Sequence, residues 1–130
     1  MDKYLLDTDT IIFTIKRKPI QVRRKFNIHA GEMCISTITF SELLFGAENS
    51  SDPKKNLSAV EGFASRVNVL DYDAPAARQF GQLKTELKAK LIGSYDLMIA
   101  AHARSRGLIL VTNNTKEFSR VPGLRIENWI

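Results

Sequence analysis

Short, uninterrupted apolar runs alternate along this chain with longer segments of helical periodicity, and that alternation narrows the fold more than any other feature. The runs are Lys3 to Leu6, Met33 to Ser36, Val67 to Leu70, Leu108 to Thr112 and Leu124 to Trp129. None is long enough for a helix. The first four lack the in/out alternation of a strand with one wet face. Strands buried on both faces belong to parallel sheets, whose crossovers are helices that cover those faces. The sequence therefore predicts an α/β/α sandwich with a mainly parallel central sheet of about five strands, the last at an edge.

Local signals place the helices. Thr8 or Asp9 can cap a helix over Thr10 to Arg17, and Pro19 ends it and opens the next, Ile20 to Ile28. A helix starting at Thr37 has Ser36 or Thr37 as a cap and a possible capping box between Thr39 and Glu42. Its expected core face is Ile38, Ser41 and Phe45, with Leu44 beside them. Ser50 to Lys55, containing Pro53, reads as a loop before a helix over Asn56 to Val67. Asp73 can cap a helix over Ala74 to Leu91 with a stripe of Ala77, Phe80, Leu83 and Leu87. Asp96 opens a helix over Leu97 to Ser105, and Gly107 is placed to end it as a C′ glycine. Asn113 to Arg120 reads as a loop with one helical turn.

At 130 residues and 44% hydrophobic, the chain has enough for one core, and a single domain over 1–130 is expected. One cysteine, Cys34, permits no internal disulfide and reads as a core residue suited to a reducing cytoplasm. No run approaches the roughly 18 apolar residues that cross a bilayer, and the start has no signal-peptide pattern. A cytoplasmic protein with no membrane partner is expected. The net charge of +5 favours anionic partners. No acid occurs between Asp9 and Glu32, a span holding Lys16, Arg17, Lys18, Arg23, Arg24 and Lys25. This basic span reads as a phosphate-contacting edge for nucleic acid, as a solvated helical face, or as a surface for an acidic protein.

Open parallel sheets bind ligands at the carboxyl ends of their strands. Asp7 follows the first strand and Thr112, Asn113 and Asn114 the fourth, while Asp96 stands at a helix start that can enter the same rim. Glu42 is an ionisable group on a largely apolar helix. A set of carboxylates around a hard cation, Mg²⁺ or Mn²⁺, accounts for these positions together. Helix capping accounts for each one separately. His29 falls in a loop, and His102 reads as a surface or boundary residue on its helix. No HxxxH, CxxC, GxSxG or P-loop pattern is present, so zinc-type and serine-type hydrolysis have no support.

Four blocks carry a resemblance. They are Leu5 to Asp9, Thr39 to Gly46, Gly93 to Ala103 and Leu110 to Phe118. In this order and spacing they resemble the PIN-domain family, and more narrowly the VapC toxins of bacterial toxin–antitoxin pairs. The resemblance implies a Mg²⁺-dependent endoribonuclease, with Mn²⁺ able to substitute, neutralised by a VapB-type antitoxin. It implies RNA as substrate, tRNA foremost and initiator tRNA in its anticodon stem-loop for the subset sharing Asn113-Asn114. It also implies operator-DNA binding through the antitoxin, and homodimers and toxin–antitoxin hetero-oligomers. Asp7, Glu42 and Asp96 map onto the catalytic acids, with Asp7 and Asp96 as metal anchors and Thr8, Asp9, Thr112, Asn114 and Glu117 as supporting residues. Phe40, Leu44, Phe45 and Trp129 are candidates for partner contact, with core burial as the alternative.

Two positions depart from the family pattern. Asn114 stands where a fourth acid is common, and Glu117 replaces that acid only if the loop turns it inward. Asp9 stands where Asn is usual, and an ionised Asp cannot donate a hydrogen bond. These departures leave open a second reading, a catalytically weak module that acts with its antitoxin on operator DNA. The Asp7-Thr8-Asp9 opening also matches the DxD start of haloacid-dehalogenase phosphatases, but Ile11 and the chain's length fit that fold poorly.

Overall fold

The computed structural model describes residues 1–16 and 18–130. Five parallel strands form one sheet in the order β3-β2-β1-β4-β5: β1 (Tyr4–Leu6), β2 (Met33–Ser36), β3 (Asn68–Leu70), β4 (Ile109–Val111) and β5 (Ile126–Glu127). Strand alternation divides the core in two. Tyr4, Leu6, Met33, Ile35, Ile109 and Val111 point to one face, and Leu5, Cys34 and Leu110 to the other. On the first face lie helices α1 (Thr8–Lys16), α2 (Ile20–Ile28), α3 (Thr37–Glu48) and α4 (Pro53–Ala64). They contribute Ile11, Leu43, Ala47, Val60 and Phe63, joined by Trp129. On the second lie α5 (Ala74–Glu86), α6 (Ser94–Arg106) and the short α7 (Thr115–Phe118). They contribute Leu83, Leu97, Ile99, Ala100, Ala103 and Phe118. The expected parallel α/β/α sandwich is therefore what forms.

The predicted caps at Ser36, Asp73 and Gly107 are present. Ser36 Oγ accepts from Ile38 N at 3.1 Å, Asp73 Oδ1 from Ala76 N at 3.2 Å, and Gly107 sits at φ 64°, where a side chain would be strained. Four local expectations are corrected. Helix α4 begins at Pro53, not Asn56, because Asp52 caps it and proline suits the first helical position, whose N–H has no helical partner. Helix α5 ends at Glu86, not Leu91; Lys88 and Lys90 bond three residues back instead of four, so the segment continues as tight turns. Its buried alanine is Ala76, while Ala77 faces solvent. Helix α3 buries Thr39, Leu43 and Ala47, leaving Phe45 70% exposed and Ser41 outside. That helix is apolar nearly all round, so periodicity alone does not choose its inner face.

Trp129 is buried, packed edge-on to Tyr4 and stacked on His29 at the end of α2, and Phe40 and Leu44 pack partly against the core. Only Phe45 among the partner-contact candidates is largely exposed. Cys34 is buried in β2 as expected, and burial pushes its thiol up to about 12, so it is inert. Among the described residues no helix is long and apolar enough to cross a membrane.

Candidate active site

The strand order reverses between β1 and β4: the chain leaves β1 toward β2 and β3, then returns to β4 and β5 on the other side. The carboxyl ends of those two strands form the crevice where open α/β sheets take ligands. Asp7 and Thr112 are the residues that follow them, and both are buried. Thr112 Oγ1 donates to Asp7 Oδ2 at 2.8 Å. Asp7 Oδ1 accepts from Thr8 N at 2.8 Å, and the Asp7 carbonyl accepts from Ile11 N to begin α1. The Asp7 side chain is thus pinned by the start of α1 and by the residue that follows β4.

Other acids reach the same rim. Asp96 lies in the first turn of α6, where the positive end of the helix dipole favours a negative charge. Glu42 lies in the second turn of α3, and its Oε1 accepts from Thr8 Oγ1 at 3.3 Å. The alternative capping box with Thr39 does not form: Thr39 Oγ1 is buried and has no hydrogen-bond partner among the described residues. Asp9 Oδ1 accepts from Thr10 N at 2.6 Å and its Oδ2 from Asn113 N at 3.1 Å, so Asp9 ties α1 to the loop after β4 as an acceptor. An ionised aspartate does this well, with no donor required. Asn114 N donates to Thr112 Oγ1 at 3.0 Å, and Asn114 Nδ2 donates to Glu117 Oε2 at 2.9 Å. Through that bond the loop holds the half-buried Glu117 toward the site.

The electrostatics agree with this convergence. Burial, with Asp9 and Asp96 adding repulsion, lifts Asp7 to about 7 against the lowering bonds from Thr112 and Thr8. Burial also raises Glu42, opposed by its bond to Thr8, and Asp96 raises it further. Asp96 is raised by burial first, then by Glu117 and Asp9. None of these five acids has a cation partner among the described residues; the ion pairs present lie elsewhere. Nor do any three of them close into a ready-made ligand shell there. An open set of mutually repelling oxygen donors suits Mg²⁺, which binds through one or two carboxylates and keeps much of its own water.

One residue of this neighbourhood escaped the sequence reading. His102 is fully buried, not at a boundary, and its Nδ1 lies 2.8 Å from Ser36 Oγ, the cap of α3. It therefore links the helix carrying Asp96 to the start of the helix carrying Glu42. Burial lowers its pKa, which keeps the ring neutral near pH 7. The available signal was its place within the apolar stretch Leu97 to Ala103. The basic candidates scatter instead of forming one edge. Lys16 lines an apolar groove with Thr8 and Glu42, Arg23 lines a separate hollow with Arg66, Lys18 and Arg24 are exposed, and Arg17 lies outside the described residues.

Comparison with known proteins decides the family. The PIN domain pattern matches residues 4–124. The chain belongs to the PIN-domain family. Among relatives, it is 57% identical to the tRNA(fMet)-specific endonuclease VapC of Shigella flexneri over 99% of both chains. It is 52% identical to ribonuclease VapC2 of Haemophilus influenzae over the whole of both. The DNA-bound VapBC complex from Salmonella typhimurium contains a chain that superposes with TM-score 0.96 at 56% identity, covering all of both chains. The Rickettsia felis VapBC2 complex, bound to a promoter DNA fragment, gives 0.92 at 37% identity over 98% of each. Within this PIN domain, Asn114 stands at the expected fourth-acid position but brings Glu117 with it, and Asp9 serves the fold through two backbone N–H groups.

Proposed function

We propose that this chain is the toxin of a toxin–antitoxin pair, an endoribonuclease that uses a divalent metal, Mg²⁺ in the cell, to cleave tRNA. Initiator tRNA is the foremost candidate, given relatives named for tRNA(fMet). The observation that carries the reading is the set of Asp7, Glu42 and Asp96 at the sheet's switch point, with raised pKa values and no ion pair among the described residues.

Asp7 and Asp96 are assigned as metal anchors. A divalent metal ion, when held there, would acidify a nearby water and stabilise the charge on a phosphate under in-line attack. Thr112 and the Thr8 N–H orient Asp7, fixing which carboxylate edge faces the rim. Glu42, held by Thr8 and less buried than Asp7, is assigned as the group that takes a proton from the attacking water. Thr8 thereby couples the two acids: its N–H serves Asp7 and its hydroxyl Glu42. Glu117, brought in by Asn114, supplies negative potential beside Asp96 in place of a fourth acid.

The solved VapBC relatives are toxin–antitoxin complexes, which supports a VapB-type antitoxin as partner and operator DNA reached through it. A groove of about 300 Å³ between α1, α3 and α4, lined by Ile12, Ile15, Leu43 and Val60 and ending at Glu42, offers such a partner an apolar seat next to the acids. A basic side chain entering from it would neutralise the cluster in place of the metal. A cytoplasmic location, homodimers and one folded domain over 1–130 complete the proposal.

The test is to incubate the purified protein with tRNA and Mg²⁺, with and without chelator. Fragments that appear only with free metal and vanish in Asp7→Ala are expected. Cleavage that survives either change would overturn the mechanism.

A further inference from the structure

Separate from the apolar groove, Lys90, Asn114, Lys116, Glu117 and Arg120 line a pocket of about 240 Å³. A water's share of liquid volume is about 30 Å³, so there is room for a larger group. We propose that this pocket binds an RNA phosphate flanking the one under attack; the inference rests on the ribonuclease reading above.

Three cations face one carboxylate there, and that carboxylate already accepts from the Asn114 amide. None of the three is in an ion pair among the described residues. Arg120 Nη1 is buried and has no hydrogen-bond partner there either. That nitrogen is covered by protein, so a phosphate in the pocket meets the rest of the Arg120 side chain, whose planar fork matches phosphate oxygens. The pocket is also continuous with the acidic cluster. Asn114 and Glu117 belong to both, and Lys90 lies on the turn that leads into Asp96's helix. A ligand that spans both places must carry negative charge at a short repeat, which a phosphodiester backbone does at every residue. The basic span at Lys16 to Lys25, which composition singles out, has no such continuity with the acids.

The experiment measures tRNA cleavage by the full chain with Mg²⁺ across a range of salt, for wild type, Lys90→Ala, Lys116→Ala, Arg120→Ala, Arg120→Lys and a distant control, Lys54→Ala. Each alanine variant in the pocket is expected to raise KM several-fold and leave kcat within about twofold. Each is also expected to flatten the salt dependence of log(kcat/KM) by about one phosphate contact. Arg120→Lys should recover part of the loss, and Lys54→Ala should match wild type. Thermal melts identify any variant that fails to fold, and the two exposed lysines carry the test if Arg120→Ala does. Unchanged KM and salt slope in folded variants of an active enzyme would overturn the pocket assignment alone. The same holds if only inhibition by the antitoxin weakens, since the pocket would then serve the protein partner. A wild-type chain that cleaves no tRNA would overturn the ribonuclease reading, and this inference with it.

Discussion

Carboxylates occur in two contrasting settings on the two ends of α6. At its far end, Arg106 pairs with Asp73 at 3.1 Å, and Arg104 reaches Glu86 at 3.2 Å, Gln79 at 2.6 Å and the Pro122 carbonyl at 2.9 Å. Asp73, helped most by the Ala76 N–H it caps and also by Arg106, titrates below the usual aspartate range. At the near end, Asp96 joins Asp7, Glu42, Asp9 and Glu117, none of them in an ion pair among the described residues, and its pKa moves the other way. The first arrangement is complete as it stands and holds α5, α6 and the loop at Pro122 together. The second is stable only because the rest of the fold imposes it, and a cation from outside would complete it. A chain that needed these acids solely as helix caps would have no reason to bring them together.

The largest expected effect separates the two settings directly. Asp96→Asn should lower tRNA cleavage by about 10²–10³-fold or more, as loss of a group acting on the transition state does, whereas Asp73→Asn should leave it near wild type. Single-turnover kinetics measure both, and equal effects would erase the distinction. Next, Thr112→Val removes a hydrogen bond that lowers Asp7 and should reduce activity by about 10–100-fold, as loss of a group orienting a metal ligand does. Its pH–rate profile should shift to higher pH. A drop in rate with no shift would mean that Thr112 acts only through the fold.

The profile of the wild-type enzyme is the third. On the proposed assignment Asp7 loses a proton to hold metal, so activity at limiting Mg²⁺ should climb with pH toward about 7 and level off above it. The sign for stability is opposite. A carboxyl whose folded pKa is raised binds its proton more tightly in the native state. Metal-free protein should therefore lose stability as pH rises from about 4 through about 7, and saturating Mg²⁺ should reverse the trend. Melting curves at pH 5 and 8 with and without Mg²⁺ check this. The smallest effect on activity belongs to the far end. Arg104→Met should cost about 1.5–3 kcal/mol of stability in denaturant melts and leave the activity of folded molecules unchanged.

Much of this contrast is legible in the sequence, for local reasons. Asp7 ends a strand and Asp96 stands at a helix start, and both positions follow from apolar patterning plus the rule that parallel sheets work at their carboxyl ends. Glu42 stands out as an ionisable group among apolar neighbours. What the sequence does not disclose depends on contacts between distant segments. The Thr8–Glu42 bond spans 34 residues and the His102–Ser36 bond 66, and neither leaves a periodic trace. The inward turn of Glu117 depends on one amide, that of Asn114, reaching three residues on from the cap of α7. Apolar residues surround α3, so its inner face is set by packing against β2 and α4 and not by the sequence pattern. The pocket at Arg120 gathers cations from the turn after α5 and from α7 and the turn that follows it, and no basic run in the chain announces it.

Calorimetric titration of Mn²⁺ into the metal-free protein at pH 7.5 tests most directly whether Asp7, Glu42 and Asp96 form a metal site. Saturable binding that is lost in Asp7→Asn and in Asp96→Asn, and kept in Asp73→Asn, is the expected result. No binding by the wild-type chain, or binding indifferent to Asp7 and Asp96, would contradict it and favour the reading of a module that works only with its antitoxin.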